Sequence, residues 1–60
     1  MDHDEVLKRS AEYKMFLTLH MKFRSNKHID TQLESIKSEM DREGYIFHNG
    51  MQRFVQKEKH

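Results

Sequence analysis

No cysteine occurs in this chain, and for a domain of sixty residues that absence is the tightest constraint on how it can fold. A chain of this length buries only about 60% of the surface its unfolded form exposes, so small domains usually lean on disulfides, a bound metal or a partner. Without cysteine there is neither a disulfide framework nor a thiolate metal site. Apolar residues make up 35% of the chain, against about 45–50% in typical globular domains, so the core is thin as well. The net charge is only +1, whereas chains that stay disordered pair low hydrophobicity with high net charge. One small domain over residues 1–60 is expected. A homodimer is the expected source of the stability that the core does not supply.

The clearest local signal is Asn49-Gly50, flanked by Tyr45-Ile46-Phe47-His48 and Met51-Gln52-Arg53-Phe54-Val55. Such a pair between aromatic and branched residues marks a hairpin, because both central positions of the tight turn need positive φ. A two-residue turn predicts a hairpin over 45–55 that pairs His48 with Met51, Phe47 with Gln52, Ile46 with Arg53 and Tyr45 with Phe54. Alternation then puts Tyr45, Phe47, Gln52 and Phe54 on one face, and Ile46, His48, Met51, Arg53 and Val55 on the other. Each face is mixed, so both are expected to be partly covered.

Ahead of the hairpin, an acidic helix is expected over 30–43. Ile29, Leu33, Ile36 and Met40 recur at helical spacing and make one narrow packing stripe. Asp30 or Thr31 can cap its start, and Thr31 with Glu34 has capping-box spacing. Gly44 stands where a left-handed residue ends a helix.

Residues 13–23 read two ways. Tyr13, Met15, Leu17, Leu19, Met21 and Phe23 alternate as a half-buried strand would. At a period of 3.6, Tyr13, Phe16, Leu17, His20 and Met21 share one face instead. Richness in Leu, Met and Lys, with Thr18 the lone β-branched residue, favours the helix, which would continue the amphipathic start over 4–11. The fold class is α+β on either reading: a long N-terminal helix (or a strand over 13–23), the acidic helix and the C-terminal hairpin. Ser25 to His28 is the expected connection, and residues 56–60 the expected polar tail.

Chemistry is sparse. His3, His20, His28, His48 and His60 include no two at the helical spacing that brings imidazoles onto one ion, so neither a metal site nor any other cofactor is expected. Asp2, Asp4 and Glu5 suit the first turn of a helix. Ser10, Ser25, Ser35 and Ser38 have no nucleophile context. No enzymatic activity is expected. The acidic start Met1-Asp2-His3-Asp4-Glu5 is unlike a signal peptide, and the apolar run over 15–23 is too polar to span a bilayer, so a cytoplasmic protein off the membrane is expected.

Charge is unevenly distributed. Residues 13–28 carry Lys14, Lys22, Arg24 and Lys27 and no acid, whereas residues 29–46 carry five acids against Lys37 and Arg42. Arg53, Lys57 and Lys59 follow. If the acidic helix covers one side, these cations can gather on the other, with His20 and His48 adding to them at low pH. The expected function is a small regulatory protein that binds DNA or RNA through Lys14, Lys22, Arg24, Lys27, Arg53 and Lys57. The alternative is a protein–protein interaction module that inhibits or recruits a larger partner through Met21, Phe23, Tyr45, Phe47, Met51 and Phe54. Methionine adapts to irregular partner surfaces, and the aromatics serve as core or as a base-stacking platform.

Residues 30–56, with the stretch LESIKSEMDREGYIFHNGMQRFVQ, resemble the second half of a winged-helix DNA-binding domain, a helix followed by a hairpin wing. The resemblance implies a helix in the major groove and a wing on the backbone. It also implies two further helices upstream, so residues 4–24 would have to break in two. Asp30, Glu34, Glu39, Asp41 and Glu43 would put like charge against phosphate in such a complex.

Overall fold

A computed structural model describes residues 1–57. Lys59, His60 and the end of the expected tail lie outside the described residues. Helix α1 runs His3–Lys22, helix α2 Lys27–Arg42, strand β1 Tyr45–His48 and strand β2 Arg53–Gln56. The protein is an α+β domain in which a two-stranded antiparallel hairpin lies across a pair of antiparallel helices. No helix among the described residues is long and apolar enough to cross a membrane.

Residues 13–23 are helical as far as Lys22, so the strand reading of this segment is corrected. α1 continues from His3 for twenty residues, with Asp4 and Glu5 in its first turn and His20 and Lys22 in its last, as the helix dipole favours. Val6, Ser10, Tyr13, Leu17 and His20 recur at intervals of four and three and form its inner face. Because α1 is unbroken, the two upstream helices implied by the winged-helix likeness do not form.

α2 begins three residues before the expected Asp30. The side chain of Asn26 accepts from the backbone N–H of His28 at 3.0 Å and of Ile29 at 3.3 Å, satisfying two of the free donors at the helix start. Thr31, read as a cap, lies inside the helix and donates its hydroxyl back to the Lys27 carbonyl at 2.8 Å. The earlier start puts Ile29 inside the helix, where it is buried. The connection is therefore residues 23–26 and not Ser25 to His28. Gly44 closes the other end with φ of +86°.

The hairpin forms in a different register from the one Asn-Gly predicts. Tyr45 pairs with Gln56, Ile46 with Val55, Phe47 with Phe54 and His48 with Arg53, which leaves a four-residue loop over 49–52. The left-handed residue is Gln52, with φ of +57°, while Gly50 has no positive φ. The loop is closed by Gln52 N–H donating to the His48 carbonyl at 2.7 Å and Met51 N–H donating to His48 Nδ1 at 3.0 Å. Gly50 serves close approach instead, since a Cβ there would lie 3.0 Å from the His48 ring. The shift by two keeps each side chain on its face but sets Phe47 opposite Phe54. Tyr13 of α1 completes the group, with ring centroids 4.7, 5.1 and 5.2 Å apart. Aromatic pairs contribute about 0.5–1.5 kcal/mol each beyond area burial, enough to override a local turn preference.

Val6, Ile36, Met40 and Phe54 make the buried core, with Tyr13, Phe16, Tyr45 and Phe47 packed around it. Met40 is fully enclosed, so one of the five methionines is core. The outer sheet face is covered only at Val55, which is half-buried: Ile46 is 55% exposed, and Arg53 and His48 are exposed. A two-stranded sheet has only one face to pack here. The edge of β2 is tied down by buried Ser10, whose hydroxyl donates to the Val6 carbonyl at 2.7 Å and accepts from Phe54 N–H at 2.9 Å. Ser10→Ala orphans that buried N–H and should lower stability by about 1–3 kcal/mol in urea unfolding. An unchanged midpoint would show that the docking contributes nothing.

Candidate functional site

The turn between the helices carries three cations within six residues of chain. Lys22 is the last residue of α1, Arg24 lies in the turn, and Lys27 is the first residue of α2. All three are exposed, and none takes part in an ion pair among the described residues. Lys22 suits the negative end of the α1 dipole, whereas Lys27 sits at the positive end of α2, where the dipole disfavours a cation. The turn therefore concentrates positive charge in spite of, and not because of, local helix energetics.

Backbone hydrogen bonds hold this end in shape. Phe23 N–H donates to the Leu19 carbonyl at 2.8 Å, and Asn26 N–H donates to the Phe23 carbonyl at 3.1 Å. Behind the turn, His20 Nδ1 approaches Asp30 Oδ1 at 3.0 Å, without the alignment of a hydrogen bond. When His20 is protonated the contact joins the two helices as an ion pair, and Asp30 faces His20. Arg9 pairs with Glu39 at 3.1 Å further along the same interface.

The other basic candidates lie elsewhere. Lys14 is exposed on α1, two turns back from Lys22. Arg53 stands on the open sheet face beside His3 and Leu7, close to the docking point at Ser10. Ser10 and Lys22 are twelve residues apart on one helix, about 18 Å at 1.5 Å per residue. The Lys57 ammonium is engaged by the Asp41 carboxylate. Lys22, Arg24 and Lys27 are thus brought together, and Arg53 and Lys57 are not brought to them.

The apolar candidates divide as well. Met21, Phe23 and Met51 are exposed, Met21 to 73%. Tyr45 and Phe47 are half-buried, and Phe54 is 3% exposed, so these three rings belong to the core and form no surface platform. Packing takes Phe54 out of reach of any partner. Met15, one of the methionines that sequence places at an apolar or interface-capable position, is exposed as well, and so is Ile46, which no sequence signal marks as a contact. Among the described residues no three His, Cys, Asp or Glu side chains gather in a metal-binding group. Comparison of the chain with family models, curated proteins and solved structures finds no match.

The Lys57 ammonium, by hydrogen bond and charge, holds Asp41 below its ordinary pKa of 3.8. A depressed carboxylate stabilises the fold above its unfolded pKa and loses that contribution as pH falls through the folded value, so the pair weakens only in acid. Lys57→Met should move the Asp41 carboxyl titration, followed by carbon NMR, back up toward the ordinary value. An unmoved titration would mean the pair does not persist in solution.

Proposed function

We propose that this is a small regulatory protein without catalytic activity that binds nucleic acid through the turn between its helices. The observation that carries this reading is the grouping of Lys22, Arg24 and Lys27, exposed and without ion-pair partners among the described residues. Exposed Asp30, Glu34, Asp41 and Glu43 lie on or just beyond α2, so contact by the length of that helix is disfavoured and approach by the turn is favoured. Lys14 extends the basic surface along α1.

Phosphate binding of this kind gains from counterion release, with a log–log salt slope of about 0.9 per phosphate neutralised on duplex DNA and about 0.7 on a single strand. Replacing Lys22, Arg24 and Lys27 together by Gln should therefore flatten the slope by about two to three, measured by fluorescence anisotropy between about 50 and 200 mM salt. Arg53→Gln should change it less, because Arg53 stands apart from the turn. Equal slopes for the triple variant and the original chain, or no binding to DNA or RNA at the lowest salt, would overturn the reading.

A second reading, self-association, is favoured by a separate observation. Met15 is 52% exposed, and Leu19, one turn further along the same side of α1, is only half-buried, so apolar surface on that side stays open. A twofold pairing along this side would bury that surface, and it would also double the basic one. Sedimentation equilibrium at micromolar concentration should return twice the 7.4 kDa chain mass. A folded monomer at that concentration would exclude it.

A further inference from the structure

We infer that the ligand of the basic turn is a single strand of nucleic acid, and that Phe23 is the surface on which one of its bases stacks. This rests on the nucleic-acid reading above and names the form of ligand that the site selects. Of the six aromatic residues in the chain, Phe23 alone is exposed: Phe54 is buried, and Tyr13, Phe16, Tyr45 and Phe47 are half-buried around the core. Phe23 is 55% exposed in a chain otherwise short of apolar core. Its position is set by the two backbone hydrogen bonds that bracket it, from its own N–H to Leu19 and from Asn26 N–H to its carbonyl.

Lys22 and Arg24 adjoin this ring in the chain, and Lys27 follows at the start of α2. Cations that hold a backbone, placed about an aromatic face that accepts a base, are the two parts of a single-strand site. Base–aromatic stacking tolerates any sequence because every base has a π-face. A duplex must first be unstacked to offer the ring a base face, at a cost of about a few kcal/mol per step, because otherwise only base edges reach the grooves. Three cations in one turn also cover only a short run of phosphates, and the acidic α2 behind them opposes wrapping by a stiff duplex. An anionic lipid surface would attract the same charges. However, membrane docking by a helix draws on a wide apolar face, and the end of α1 offers Met21 and Phe23 separated by Lys22 and followed by Arg24.

The test uses the full chain and compares a labelled short oligothymidylate with a duplex of equal length at about 50 mM salt. The single strand should bind about tenfold more tightly. Phe23→Ala and Phe23→Leu should each lose about tenfold on the single strand, leaving the duplex affinity, the salt slope and the melting temperature unchanged, while Phe23→Tyr retains binding. Equal affinity for strand and duplex, or full single-strand binding by Phe23→Leu, would overturn this inference and leave the phosphate-binding reading standing. Absence of binding to either form would overturn both. Tight binding to phosphatidylserine vesicles that Phe23→Leu retains, without a preference for the single strand, would assign the turn to a lipid surface instead.

Discussion

The hydroxyl of Ser10 joins the two parts of the protein. Helices α1 and α2 can pair through Val6 on the first and Ile29, Ile36 and Met40 on the second, but the α2 stripe is narrow and the buried core also needs Phe54 from the hairpin. The hairpin closes it, and an isolated two-stranded hairpin is marginal in water. Ser10 supplies the link by giving its proton to the carbonyl one helical turn back and taking one from the strand edge. A backbone donor at a sheet edge is costly when buried without a partner. Serine is small enough to let strand and helix approach and polar enough to answer the donor. With β2 held there, Phe54 enters the core, and Tyr13 and Phe47 close around it.

The same economy explains the hairpin loop. A tight Asn-Gly turn would have placed Phe47 opposite Gln52 and Tyr45 opposite Phe54, separating rings that the core needs together. The longer loop instead places Gln52 in a left-handed conformation and uses the His48 side chain as a substitute turn partner. A local preference worth tenths of a kcal/mol to about one gives way to a cluster of three aromatic contacts. The shift leaves both faces as they were, and the outer one stays largely open, with Ile46 exposed and Val55 half-buried on it.

What could be read from the sequence follows the range of the interactions involved. The C-terminal limit of α2 was legible because Gly44 acts locally, and the faces of the hairpin were legible because alternation is local. The helical state of residues 13–22 was legible from composition but contested by pattern, since Met15 and Met21 sit outside the buried face and complete a false alternation. The start of α2 was not legible: Asn26, Asp30 and Thr31 are all competent caps, and local signals alone do not choose among them. Register and the role of Ser10 depend on residues far apart in the chain, Ser10 and Phe54 being 44 positions distant. The basic turn was legible because its charges are contiguous. The separation of Arg53 and the capture of Lys57 by Asp41 were not, because folding alone decides where they stand.

His3, near the beginning of α1, and Gln56, at the end of β2, line the same shallow cleft. The turn at residues 23–26 lies at the far end of α1, a helix of twenty residues spanning about 30 Å. The molecule consequently has a handle and a tip. Anything joined to the chain near either of these residues, whether a bead, a dye or another domain, is held on the handle side. The tip then projects away from its support, free to probe the solution.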